Sequence, residues 1–255
     1  MSYRVDFWLN SFAAFAVELA VAYFLWKAIF AGSGQEVIAG YTLPDMVIYY
    51  VVVLMVGRLA RGRERDITVS QDIYEGGLTR YLLYPAPYTG FKYAEQVGAL
   101  LPSLLQVGAI LAFFALPFAN IVSADLEISA TTVALTVPAV LLANLLWFVT
   151  RLPIQFVSFW SDNVWSLNVL LRFTAEILGG MMIPLAVFPE ATQAFLSWLP
   201  FRFFFSFPTR TLLGEVSQQE WWMGMALLAG WCVVMSLLAA IVWKRGQKTY
   251  TGVGI

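Results

Sequence analysis

The stretch Trp221–Trp243 reads WWMGMALLAGWCVVMSLLAAIVW, 23 residues without a single charge. At about 1.5 Å per helical residue it extends roughly 35 Å, enough to cross a hydrocarbon core about 30 Å thick. Two further uncharged runs of the same length, Val97–Ala119 and Ile128–Thr150, repeat it. Lipid offers no water to backbone N–H and C=O groups, so such segments must satisfy them internally as helices. Composition agrees. Of 255 residues, 60% are hydrophobic and 12% charged, against roughly 25% charged in an ordinary soluble domain. Fifteen Lys and Arg with sixteen Asp and Glu cannot coat a globule of this size. The expected class is an all-α integral membrane protein.

Three less regular runs join these. Phe7–Trp26 is interrupted by Glu18, Leu43–Gly57 is short and flanked by Asp45 and Arg58, and Val164–Phe188 contains Arg172 and Glu176. Six spans are therefore expected, at 7–28, 43–59, 93–118, 128–151, 164–188 and 221–243, in one domain covering 1–255. The first is expected to persist in the mature protein, because its apolar run is too long for a secretory signal and no A-x-A-like site follows.

Basic residues set the orientation. Arg58, Arg61, Arg63, Arg65, Arg80 and Lys92 fall between spans two and three, Lys244, Arg245 and Lys248 follow span six, and Arg4 precedes span one. The connections at 31–42 and 120–127 hold no Lys or Arg, and the one at 189–220 holds only Arg202 and Arg210. Both termini are accordingly expected in the cytoplasm, as an even number of spans requires.

Several chemistries are excluded. The chain has no histidine, which removes Ser-His-Asp, Cys-His and His-ligated metal sites. Its one cysteine, Cys232, has no internal partner and sits in an apolar run as a small hydrophobe. A net charge of −1 argues against nucleic acid as a partner. No GxxxxGK[ST] loop is present, so the chain cannot hydrolyse nucleotide by that route alone.

Two connections exceed simple turns. The cytoplasmic one, Arg58–Lys92, reads RLARGRERDITVSQDIYEGGLTRYLLYPAPYTGFK. Asp66 opens an expected short helix through Tyr74, Gly76-Gly77 stops it, and Pro85 and Pro87 bend the chain before span three. A surface helix and a solvated positive-inside loop both fit. The other, Pro189–Glu220, is rich in Phe yet broken by Pro189, Pro200 and Pro208. Non-helical backbone at membrane depth survives only when covered by protein or lining a wet cavity, so a re-entrant hairpin over 189–214 is expected.

Ionisable residues inside spans cost about 2.5–3.5 kcal/mol each at the helix centre. Arg172 and Glu176 are four apart on one helix and can pair; that pairing or a polar substrate path would account for them. Glu18 has no partner on its own helix, and Arg151 lies near a span end, where it can snorkel.

Several strings resemble the permeases of type-2 ABC exporters. DIYEGGLTRYLLYPAP (Asp72–Pro87) is similar to the D-I-x-x-G-x-L-x-R-x-L-L-x-P stretch of that family. FWSDNVWSLNVLLRF (Phe159–Phe173) with GGMMIPLAVFPE (Gly179–Glu190) resembles its fifth span, and LPFRFFFSFPTRTLLG (Leu199–Gly214) its external hairpin. The tail WKRGQKTYTGVGI (Trp243–Ile255) is similar to the ending of one branch. Glu176 stands outside the pattern.

The resemblance implies a transport permease and not an enzyme. Two permeases, identical or different but homologous, would work with two separate ABC ATPase subunits that bind ATP and magnesium. This chain would carry no cofactor and no metal, would contact membrane lipid, and would reside in a bacterial inner (cytoplasmic) membrane. Within segment 60–92, Asp66–Leu83 would be the coupling element that docks the ATPase, with Arg61, Arg63 and Arg65 steering and Ile73 and Tyr74 as anchors. Asp66, Asp72, Glu75, Gly76, Gly77 and Leu78 would complete the docking set. Pro189, Pro200, Phe201, Phe204 and Pro208 would form an external gate, and Glu18, Arg172 and Glu176 a substrate path or an intramembrane pair. An ion-gradient-driven transporter or an intramembrane transferase stays open as an alternative.

Overall fold

The computed structural model describes residues 2–62, 68–81, 83–118 and 128–252. Among these the chain is helical throughout, and the only extended pairing is an isolated bridge between Ile38 and Tyr41. Eleven α-helices follow in order: α1 Ser2–Ser33, α2 Leu43–Arg61, α3 Thr68–Tyr74, α4 Leu78–Tyr81, α5 Tyr88–Gly98, α6 Leu100–Phe118, α7 Ala130–Phe156, α8 Trp165–Leu178, α9 Glu190–Leu196, α10 Ser206–Leu212 and α11 Gln218–Gly246.

Among the described residues, five stretches are long and apolar enough to cross a membrane: Trp8–Ser33, Leu43–Arg61, Tyr88–Phe113, Ala130–Phe159 and Gln218–Gly246. Their starts are written in the sequence. Thr42 and Asp45 form a reciprocal capping box at α2, and Ser217 with Glu220 forms another at α11. Each supplies acceptors to N–H groups that a first turn leaves without partners. Asp45 thus serves as a cap and not as a charge within the span. Gly62, at a positive φ of 61°, ends α2.

The expected span 164–188 is not one helix. Its helical part, α8, has 14 residues, about 21 Å, too short to cross a hydrocarbon core alone. Gly179 caps it and Gly180 turns the chain at φ +85°. A Cβ on Gly179 would meet the carbonyls of Ala175 and Phe201, the latter at 2.8 Å, so only glycine fits where the returning hairpin touches the helix end. The third span is also divided: α5 stops at Gly98 and α6 resumes at Leu100, placing Pro102 in a first turn where proline is tolerated. Pro138 and Pro153, by contrast, lie inside the unbroken α7.

The hub is α7, against which α2, α3, α8, α10 and α11 all pack. Half of its most apolar window is buried, against 17% for α11. The outer helices leave apolar stripes uncovered, among them Val233, Leu237 and Ile241, one turn apart on α11. In a membrane such stripes face acyl chains, which solvate them as well as a protein core would.

Candidate functional site

Three groups of polar side chains interrupt this apolar body. The first joins α2 to α8. Arg61 Nη1 donates to Glu176 Oε1 at 2.6 Å, and Arg61 Nε donates to the Gly57 carbonyl at 3.3 Å. Arg172 Nε lies farther from the same carboxylate oxygen, at 3.8 Å. The i, i+4 pair expected from sequence therefore exists, but the closer partner comes from another helix. Arg61 is only 4% exposed, and its guanidinium also faces the Phe205 ring at 5.7 Å. It is turned into the body. Glu18 meets Arg58 across α1 and α2 at 4.0 Å. Arg151 is buried against Trp147 instead of snorkelling outward.

The second group anchors α3. Val69, Ser70 and Ile73 face inward, as does Leu78 at the start of α4. Asp72 accepts from Lys92 Nζ at 2.8 Å and from the Tyr88 hydroxyl at 2.8 Å, so α3 is clamped to α5. Gly76, at φ +78°, makes the turn after α3 that the Gly-Gly pair foretold. Its carbonyl accepts from Tyr250 in the C-terminal tail, whose hydroxyl also lies 2.9 Å from Thr79 Oγ1. α3 further rests on the 3-10 turn Val157–Phe159 that follows α7. Gln71, Tyr74, Glu75, Thr79 and Arg80 are left exposed. Ile73 and Leu78, expected among the docking residues, are buried in the chain's own core. Gly77 faces the Asp72 side chain and Tyr74 points out. Arg63, Arg65 and Asp66 lie outside the described residues.

Sequence reading missed the residue that ties these regions together. Asn144, 0% exposed on α7, donates through Nδ2 to the carbonyls of Leu59 and Ala60 and accepts through Oδ1 from Gln96 Nε2. It thereby satisfies the last turn of α2 and joins α2, α5 and α7. An asparagine in a hydrocarbon span is the signal that pointed there, since an unsatisfied amide is costly in lipid.

The third group supports the hairpin. After α8, residues 179–184 are not helical, and α2 supplies donors to their carbonyls: the Tyr49 hydroxyl to Gly180 at 2.7 Å and the Tyr50 hydroxyl to Met182 at 2.6 Å. Trp26 Nε1 donates in turn to the Tyr50 hydroxyl. The chain then passes through α9, which Pro189 precedes as N-cap, and folds back at Pro200. The Ser206 N–H donates to the Gly179 carbonyl at 3.0 Å. Phe203, Phe204 and Phe205 are all 0% exposed, with Phe204 edge-on to Trp147. Phe201 is half-buried, and Pro208 is buried in the first turn of α10. Phe207 fills the space beside Gly224 on α11, where any Cβ would collide with the ring. The hairpin is a packed insertion and not a surface loop.

Comparison with known proteins adds one finding. The family model described as ABC-2 family transporter protein matches residues 16–254. Neither the curated proteins nor the solved structures gave a match. Matched over nearly all its length and carrying, among its described residues, five helical stretches long and apolar enough to cross a membrane, the chain belongs to the ABC-2 transporter family, as a multi-pass membrane subunit of an ABC transporter.

Proposed function

We propose that this chain is the permease of an ATP-driven exporter, acting as a pair of permeases with two ATPase subunits that bind ATP and magnesium. The family generally works with such ATPase subunits, and the sequence lacks a phosphate loop of its own. The observation that carries the reading is α3. Its inner face is locked to α5 by Asp72 and to the end of α7 by packing, while Gln71, Tyr74, Glu75, Thr79 and Arg80 stay outward. A short helix held this way transmits a push to the spans and does not absorb it. A cavity of about 90 Å³ beside Tyr74, bordered by Gln71, Asp162 and Trp165, offers a seat for a side chain from a docked partner.

In this mechanism, ATP binding closes the ATPase pair and displaces α3 together with α5 and the α7 end. Work enters as the difference in ATPase affinity between two permease conformations. The Arg61–Glu176 tie couples α2 to α8, and hence to the hairpin that serves as external gate. α8 with the run from Gly179 to Phe188, which includes the 3-10 turn Leu185–Val187, makes the fifth of six crossings, and both termini lie on the cytoplasmic side of a bacterial inner membrane.

Purification from native membrane tests the proposal. An ATPase should copurify with the wild-type chain and be lost when Tyr74, Glu75 and Arg80 are replaced together by alanine, with insertion unchanged. Undiminished copurification and transport in that variant would remove α3 from the role.

A further inference from the structure

At the Leu43 end of α2, the 39–41 loop, residues 184–186 and the hairpin enclose a cavity of about 500 Å³, within the range of small-molecule sites. Its charged lining is Arg202, Arg210 and Glu215, with the Tyr41 and Tyr49 phenols beside them. The carboxylate is already satisfied. Glu215 accepts from Arg210 Nε at 3.2 Å and from the Tyr41 hydroxyl at 3.1 Å, and its backbone carbonyl accepts from Arg210 Nη2. Burial, and then the Glu215 charge, push the Tyr41 phenol well above its usual range, so it stays neutral.

Arg202 is different. It sits on the 3-10 turn Pro200–Phe203, anchored by the buried phenylalanines that follow. Its Nη1 donates to the Ser197 carbonyl at a long 3.4 Å, and the guanidinium lies 5.1 Å from the Phe203 ring centre. Among the described residues, no carboxylate stands within ion-pair distance of it. Burial disfavours its charged form, the nearby Arg210 adds to the effect, and Glu220, which does not line the cavity, opposes it from beyond ion-pair distance. Two guanidiniums against one carboxylate leave the lining one negative charge short. A guanidinium carries five N–H donors in a planar fork, a geometry matched by the oxygens of a phosphate or carboxylate group.

We propose that this cavity binds a singly charged oxyanion group, clamped by Arg202 with Arg210 as its neighbour. The group arrives either on a phospholipid headgroup or as a free solute. Only the placement of this site on the outer face, in the transport path, rests on the function proposed above; the binding itself does not.

The test uses the full chain in phosphatidylcholine nanodiscs. Inorganic phosphate is titrated in one arm, phosphatidylglycerol replaces part of the lipid in another, and sodium chloride matches ionic strength in a third. Apparent melting temperature and tryptophan fluorescence are followed. A saturable response to phosphate assigns a free solute, and a response to phosphatidylglycerol alone assigns a headgroup. Either should weaken by at least about tenfold in Arg202→Gln. It should be weakened less in Arg202→Lys, which keeps the charge but loses the planar fork, and be unchanged in Tyr74→Ala, which lies outside the cavity. No saturable response to either anion, an equal response to sodium chloride, or an undiminished response in Arg202→Gln overturns the proposal. Because no ATPase or transport enters the readout, failure of this site and failure of ATPase docking are separable.

Discussion

Replacing Glu176 by glutamine removes one charge and keeps the side-chain shape, and the structure sets the expected cost. The contact to Arg61 is 2.6 Å, with both side chains largely shielded at 5% and 14% exposure. Two unit charges about 4 Å apart at an effective dielectric of about 20 attract by about 4 kcal/mol. Removing one member of a buried pair typically costs about 3–5 kcal/mol, because the other charge is left desolvated. About 3 kcal/mol is therefore expected, which for a chain of this size corresponds to a fall of roughly 6–12 °C in apparent melting temperature. Arg61→Gln should cost less, since Arg172 stands 3.8 Å from the same carboxylate and can take it over. Replacing both Arg61 and Glu176 by methionine removes both members of the pair and should recover much of the loss. The assay is thermal unfolding in detergent followed by tryptophan fluorescence at one fixed scan rate. A fall of under about 2 °C for Glu176→Gln, or a double variant whose loss equals the sum of the single losses, would refute a coupled α2–α8 tie.

Other perturbations follow from the same geometry. Gly179→Ala should cost about 1–3 kcal/mol through overpacking, because a Cβ there meets backbone carbonyls, whereas Gly98→Ala, with open space around it, should cost nothing; melting temperatures check both. Tyr49→Phe strands the Gly180 carbonyl and should cost about 1–3 kcal/mol by the same readout. Tyr250→Phe removes the donor to Gly76, so tryptic cleavage after Lys248 should accelerate while the melting temperature holds. Cys232 is buried, so single cysteines introduced elsewhere report topology. In intact cells an impermeant thiol reagent should reach Ser33→Cys and Ser197→Cys, and miss Thr79→Cys and Lys248→Cys.

The parts legible in the sequence were those governed by one-dimensional patterns. Uncharged runs marked the long helices, and Gly76-Gly77 after Tyr74 marked the end of α3. The prolines at 189 and 200 marked the hairpin's joints. Partner choice between distant helices was not legible. Arg61 reads as one of five arginines in the Arg58–Lys92 connection, and only folding turns it toward Glu176. The end of α8 was also hidden, because Val164–Phe188 has a span's composition, and what stops the helix is the hairpin's backbone pressing on Gly179. Ile73 reads as an anchor for a partner, and its burial against α7 and the turn that follows it is set by tertiary packing that no local pattern shows.

Site-specific photo-crosslinking between α3 and the ATPase bears most directly on function. With a photoreactive residue at position 74 or 80, ATPase docking on α3 predicts an adduct to an ATPase subunit that changes in yield when ATP is added. The same probe at position 41, at the other end of the body, should give none. Absence of an adduct from both α3-side positions in membranes where the ATPase is present, or an equal adduct from position 41, would contradict a permease driven through this helix.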